Sequence, residues 1–203
     1  MKVILVSKEY PVHEIFDSIQ GEGYWTGAAA SFVRLQQCNL RCAWCDSKGT
    51  WEGKPEKMTA DEILAAVHSE RVILTGGEPL LHDLTALLES LKAAGKKVHI
   101  ETNGTQPWKE SYPQEAWITV SPKKESGYLV QPSIKSKANE YKFVVDEDFS
   151  ADILAQLEFN SCPNIFLSPE NVRSEMIKKA LSIVAQYPFC RLTLQLHKLI
   201  GVR

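Results

Sequence analysis

Arg71-Val72-Ile73-Leu74-Thr75-Gly76-Gly77-Glu78-Pro79, followed by Asp83 to Ala94, then Gly95 and a second apolar run from Lys97 to Glu101, is the stretch that decides the fold. The first run is short, β-branched and bounded by glycines, as expected of a strand buried on both faces. In the next, Leu84, Leu87, Leu88 and Leu91 recur at helical spacing as one apolar stripe, and Gly95 follows as a C-terminal cap. A strand, a helix and a strand in immediate succession predict two parallel strands joined by a right-handed crossover.

The same alternation extends in both directions. Further strand-like runs lie at Ser31–Gln36, Trp117–Ser121, Tyr141–Val145, Asn164–Leu167 and Arg191–Leu196. Helical patterns cover Ala60–Ser69, where Thr59 and Glu62 have capping-box spacing, Ser150–Leu157 and Arg173–Ala185. The expectation is one α/β domain over residues 1–203, a partial (incomplete) TIM-like barrel of mainly parallel strands with outer helices. With 203 residues the chain is shorter than the roughly 250 of a complete barrel, so six or seven strands in an open, curved sheet are expected.

Composition excludes several classes of function. Lys and Arg total 23 against 25 Asp and Glu, so a net charge of -2 gives no electrostatic case for direct nucleic-acid binding. No apolar run reaches the roughly 20 residues of a membrane span, and Met1–Val6 is too short for a signal peptide. A cytoplasmic protein without membrane contact is expected. Three of the five cysteines fall within eight residues, and Cys162 and Cys190 stand alone, a poor disulfide framework but a good metal site.

In folds of this class the loops after the carboxyl ends of the strands build the active site. The cysteine loop follows Ser31–Gln36, and Thr75-Gly76-Gly77-Glu78-Pro79 follows the next strand. Glu101-Thr102-Asn103-Gly104, Ser121-Pro122-Lys123 and Ser168-Pro169-Glu170-Asn171 end later ones. All are expected on one rim. Cys38, Cys42 and Cys45 offer three soft thiolates, which select zinc or an iron–sulfur cluster. A structural zinc site closes with a fourth protein ligand, and none lies at ligand spacing nearby. Electron-transfer clusters likewise take four cysteines, so three leave one iron open. Zinc and inert cysteines remain the alternatives at this point.

The Cys-x3-Cys-x2-Cys spacing with Trp44 resembles the radical S-adenosylmethionine (SAM) superfamily, and Gly76-Gly77-Glu78-Pro79 resembles its glycine-rich segment. Glu14 to Gly23, Phe32-Val33-Arg34-Leu35, Cys45-Asp46-Ser47, Glu101 to Thr105, Ser121-Pro122-Lys123 and Leu194 to Lys198 together resemble the 7-carboxy-7-deazaguanine synthase family. The resemblance spans nearly the whole chain in family order. It implies a radical SAM core with a 4Fe-4S cluster on Cys38, Cys42 and Cys45. It further implies conversion of 6-carboxy-5,6,7,8-tetrahydropterin to 7-carboxy-7-deazaguanine with loss of ammonia, on the route to queuosine.

Carried over position by position, the resemblance places Ile19, Gln20, Gly21, Arg34 and Thr75 on the pterin substrate. Trp44, Cys45, Asp46, Gly77, Glu101, Ser121, Pro122, Lys123, Ser168, Pro169, Glu170 and Asn171 are placed on SAM, and Ser47 on Mg2+. No catalytic residue is implied beyond the cluster and SAM. An electron donor such as flavodoxin or ferredoxin and a homodimer are the implied partners. Arg34 also has a reading as one half of an internal ion pair, and Gln20 to Gly23 one as a plain turn. His197 reads as a core or surface residue, Cys162 and Cys190 as inert, and no substrate role is expected of terminal Gly201-Val202-Arg203. Two other functions stand beside this one: a glycyl-radical activating enzyme, which shares the cysteine motif without needing the Gln20 and Arg34 pocket, and a noncatalytic zinc-binding module.

Overall fold

The structure, a computed structural model, describes residues 8–156, 162 and 164–203. Met1–Val6 and the expected helix end at Leu157 lie outside the described residues. The described strands form one sheet, in the order β3-β1-β2-β4-β5-β6-β7-β8-β9. They are β1 (Glu9–Ile19), β2 (Ala29–Leu35), β3 (Glu56–Thr59), β4 (Arg71–Gly76), β5 (Lys97–Thr102), β6 (Trp117–Val120), β7 (Glu140–Val145), β8 (Ile165–Pro169) and β9 (Cys190–Leu192). From β2 through β9 every neighbouring pair is parallel. The sheet does not close, because β3 and β9 remain its two edges. An incomplete barrel of mainly parallel strands is therefore what the chain forms.

The sequence pattern missed β1 and β3. β1 runs antiparallel to β2 and β3 antiparallel to β1, with Ile15 opposite Val33 and Tyr10 opposite Met58. Pro11 and four acidic or histidine positions broke the apolar run that marks the parallel strands, and only Tyr10, Pro11 and Val12 of β1 are buried. The last strand is also shorter than expected, ending at Leu192, and Leu196–Ile200 instead forms a helix closed by Gly201 in the left-handed region.

Helices α1 (Ala60–Ala66), α2 (Thr85–Ala93), α3 (Pro132–Lys135), α4 (Asp152–Gln156), α5 (Ser174–Gln186) and α6 (Leu196–Ile200) complete the described elements. The Thr59–Glu62 capping box is present at the start of α1. In α2, Leu87, Leu88 and Leu91 are buried, and its leading amides at Leu84 and Leu87 donate to the phenol oxygens of Tyr112 and Tyr10, both at 3.1 Å. Two buried tyrosines thus satisfy donors that a helix start leaves open.

Candidate active site

The cysteine loop leaves β2 and is sewn to the end of β4 by main-chain bonds. Gly77 N donates to Leu35 O at 3.0 Å and Glu78 N to Gln37 O at 2.8 Å. Gly76 has φ +127°, and a Cβ at Gly77 would collide with the backbone of Gln37 and Cys38. Paired glycines are required because two backbones touch here. Glu78, fully buried, locks the next strand: Thr102 Oγ1 and Asn103 N donate to its carboxylate at 2.7 Å, and Leu80 N at 3.0 Å. Asn39 in the loop in turn donates to Thr105 Oγ1 at 2.8 Å and accepts from Asn103 Nδ2 at 3.1 Å.

Cys42 is buried, and Cys38 and Cys45 are half-buried around one cavity. Burial pushes the Cys42 thiol up to about 12 and raises that of Cys38, so iron binding there displaces protons. Three soft thiolates on one cavity suit a 4Fe-4S cluster, in which each takes a different iron and one iron stays open. Elsewhere in the site the ligand atoms of His99, Glu101 and Glu140 all lie within 4.8 Å of one another.

At one end of the cavity Arg34 Nε pairs with Glu14 Oε1 at 2.7 Å, and its Nη1 donates to Ser47 Oγ at 2.8 Å. The ring of Phe16 lies 5.7 Å from the guanidinium and stacks on Phe32. An internal ion pair and a place on the cavity wall are both present, so the two readings of Arg34 are not exclusive. Ser47 also donates to Asp46 Oδ1 at 3.2 Å.

The middle of the cavity holds a charge cluster. Lys142 Nζ lies 2.7 Å from Glu22 and 3.1 Å from Glu101, while Gln20 Nε2 donates to Glu101 Oε1 at 2.9 Å. Ser168 Oγ donates to Glu22 at 3.1 Å. Burial alone would raise the Glu22 carboxyl, but the Lys142 ammonium and these hydrogen bonds bring it down to about 2. Burial likewise opposes the charge on Lys142, and Glu101 and Glu22 overcome it, holding the ammonium well above the usual lysine range. Counting both carboxylates and the ammonium leaves one net negative charge facing the cavity.

On the far side Lys123 donates to Ser121 Oγ at 2.6 Å and lies 5.1 Å from the ring of Trp44, whose Nε1 donates to Asp146 at 3.0 Å. Asn171 sits at φ 48°, and its Oδ1 accepts from Lys198 at 3.1 Å. Of the site residues named from the sequence, all but Pro122 line this cavity.

The structure adds residues that sequence reasoning missed. Glu22 and Lys142 are the chief ones: Glu22 looked like part of a turn, and Lys142 like a lysine in an apolar strand. The inward alternation of Glu140 and Lys142 on β7 was the available signal. His197, expected in the core or at the surface, lines the cavity against Gly21, where a Cβ would meet its ring. Arg203 also reaches the wall, paired with Glu14 and 4.8 Å from the ring of Phe16. Cys162 and Cys190 lie outside it.

Residues 33–116 match the model of the radical SAM superfamily. The chain is 37% identical to the 7-carboxy-7-deazaguanine synthase of Synechocystis sp. over 98% of its own length and 96% of that protein's. It is 41% identical to the Bacteroides thetaiotaomicron protein of that name over 95% and 98%, and 32% identical to the Escherichia coli K12 one over 96% and 99%. The crystal structure of QueE from Escherichia coli superposes with a TM-score of 0.81 at 33% identity, covering 93% of this chain and 95% of that one. With its cysteine loop, glycine seam and lining residues on one rim, the chain belongs to the 7-carboxy-7-deazaguanine synthase family of radical SAM proteins.

Proposed function

We propose that this protein converts 6-carboxy-5,6,7,8-tetrahydropterin to 7-carboxy-7-deazaguanine with loss of ammonia, as a radical SAM carbon–nitrogen lyase serving queuosine biosynthesis. The observation that carries the proposal is the convergence of Cys38, Cys42 and Cys45 with Gln20, Arg34 and Glu101 on one cavity, in a chain matching the family end to end. Cys38, Cys42 and Cys45 would hold a 4Fe-4S cluster, which together with SAM would supply the radical chemistry for hydrogen-atom abstraction from the pterin.

The chain's own residues bind, orient and exclude water. Arg34 and Ser47 stand together where a substrate carboxylate would sit, a guanidinium fork beside a hydroxyl that can share Mg2+ with it. Gln20, held by its hydrogen bond to Glu101, suits the amide edge of a pterin ring, while Glu101 itself would take the SAM ribose hydroxyls. Phe16 and Phe32 offer an apolar face beside the guanidinium. Trp44, Gly77, Ser121, Lys123 and the Ser168–Asn171 segment form the opposite wall and would hold SAM.

Residues 1–203 act as one domain in this reading, with a small protein electron donor of the flavodoxin or ferredoxin kind and as a homodimer. All five cysteines are free, which suits a reducing cytoplasm. No helix among the described residues is long and apolar enough to cross a membrane. Anaerobic reconstitution followed by turnover with the pterin, SAM and a reductant tests the proposal. Formation of the deazaguanine supports it, and 5'-deoxyadenosine made at the same rate with and without the pterin would sink it.

A further inference from the structure

Beneath the cavity, inside the curve of the sheet, lie three polar side chains that the chemistry above leaves unused: His99, Thr119 and Glu140, each with no exposed surface. They form one continuous path. Glu140 Oε2 accepts from Tyr24 N at 2.9 Å, and its Oε1 accepts from Thr119 Oγ1 at 2.9 Å. Thr119 Oγ1 lies 2.6 Å from His99 Nε2, which lies 3.7 Å from Glu101 Oε1 at the cavity floor. Above Glu140 the chain passes so close that a Cβ at Gly23, φ +74°, would meet the carboxylate. Glu140 therefore grips the end of the Gln20–Tyr24 segment and one end of a hydrogen-bonded chain to His99, whose Nε2 edge faces Glu101 across 3.7 Å.

The close approach of His99, Glu101 and Glu140 does not make a metal site. Both oxygens of Glu140 are taken by Tyr24 and Thr119, and those of Glu101 by Gln20 and Lys142. An ion would have to displace the ammonium.

The direction of the path is set by Glu140, because a hydroxyl has one proton to give. While Glu140 is ionised, Thr119 donates to it, so His99 must offer Nε2–H to Thr119, and that same edge faces Glu101. When Glu140 takes up one proton it donates to Thr119, Thr119 donates to a lone pair on His99 Nε2, and the imidazole proton resides on Nδ1. Nδ1 is buried and has no partner among the described residues, so no hydrogen bond from that side fixes the tautomer.

We propose that Glu140 is a positioning residue: through Thr119 and His99 it decides whether an N–H or a lone pair faces Glu101, and through Tyr24 it holds the substrate segment. The consequence for substrate rests on reading Gln20, which Glu101 holds, as a pterin contact. Burial and Glu101 raise the Glu140 carboxyl to about 7, against the pull of Lys142. The other titratable groups nearby are His99, held neutral by burial with its value lowered to about 4, Cys162, and Glu22 beyond Lys142.

The test begins on the free protein, labelled with 15N at histidine. The His99 ring should carry its proton on Nε2 above about pH 8 and on Nδ1 below about pH 6. Glu140→Gln, whose amide donates to Thr119 while its oxygen keeps Tyr24, should hold the Nδ1–H form at every pH. Thr119→Val, isosteric and without the hydroxyl, should make the tautomer indifferent to pH. It supplies the answer if Glu140→Gln fails to give a native spectrum. In turnover, the pterin KM of the wild type should rise about three- to tenfold from pH 8 to pH 6, and Glu140→Gln should show the higher KM throughout with kcat and cluster content little changed. One His99 tautomer in wild type and variant across this range overturns the proposal, as does a pterin KM that ignores a tautomer change. A wild-type enzyme that turns over no pterin would instead sink the functional reading, and the spectra would still decide the direction of the path.

Discussion

The cysteine loop and the charge cluster a few residues below it are built on opposite plans. The loop takes its chemistry from eight consecutive residues, Cys38 to Cys45, and its support from main-chain bonds to the neighbouring strand. The cluster draws Gln20 and Glu22 from the segment after β1, Glu101 from β5, Lys142 from β7 and Ser168 from β8. A local device can lose its function and leave the fold standing. A device assembled from distant strands loses stability along with function, because removing Lys142 strands the Glu22 and Glu101 charges in the interior.

The sharpest break between the two comes from removing one thiol. Cys42→Ala should lose all retained iron and sulfide and all turnover while its melting temperature stays within a few degrees of the wild type, whereas Cys162→Ala should keep the full cluster. Iron and sulfide analysis with a thermal scan checks both, and a four-iron cluster in Cys42→Ala would undo the assignment.

Lys142→Met should do the reverse. It leaves Glu22 and Glu101 side by side without the ammonium between them, a loss on the order of 3–5 kcal/mol, or a fall of about 6–20 °C in melting temperature. The cysteine loop should still bind iron in the cold. A variant as stable as the wild type would show that the cluster is not held by that ammonium.

Arg34 belongs to both plans, since it lies on β2 and bonds Ser47 in the loop. Arg34→Lys should raise the pterin KM roughly thirtyfold, the equivalent of about 2 kcal/mol, because an ammonium cannot replace a planar fork. SAM binding should be unmoved. If calorimetry finds both ligands weakened alike, Arg34 acts through the fold rather than on the substrate.

A smaller effect separates the interior from the rim by pH. Burial lowers His99 to about 4, so its share of stability is full above pH 6.5 and is lost as pH falls toward 4. Burial raises Glu140 to about 7, so its share is full below pH 4.5 and is lost as pH rises toward 7. The two slopes have opposite sign and offset each other. Glu140→Gln should unmask the His99 slope, with stability rising by up to about 1.4 kcal/mol per pH unit between pH 4.5 and 6.5. Urea unfolding across that range checks it, and a level profile in the variant would show that His99 does not titrate on unfolding.

The smallest effects belong to Ser47. Ser47→Thr should be nearly silent, and Ser47→Ala should lose the stimulation of turnover by Mg2+ with cluster content unchanged. An unchanged Mg2+ dependence in Ser47→Ala would leave that hydroxyl only its bonds to Arg34 and Asp46.

The sequence by itself determined the parallel sheet and the cysteine loop. Runs such as Val72-Ile73-Leu74 are buried on both faces and read as strands without context, and three thiols spaced within eight residues need no partner from elsewhere to declare a metal. Tertiary structure alone decided β1, whose polar positions become a strand only because β2 and β3 satisfy its backbone on both sides. It also decided Lys142, His197 and Arg203, each of which carries its meaning in what lies opposite it: two carboxylates, a glycine without a side chain, and the ring of Phe16. The physical reason is common to all of these. A backbone preference or a thiol's affinity for iron is a property of neighbouring residues, but a buried charge has a sign and a role only once the fold has chosen its partners.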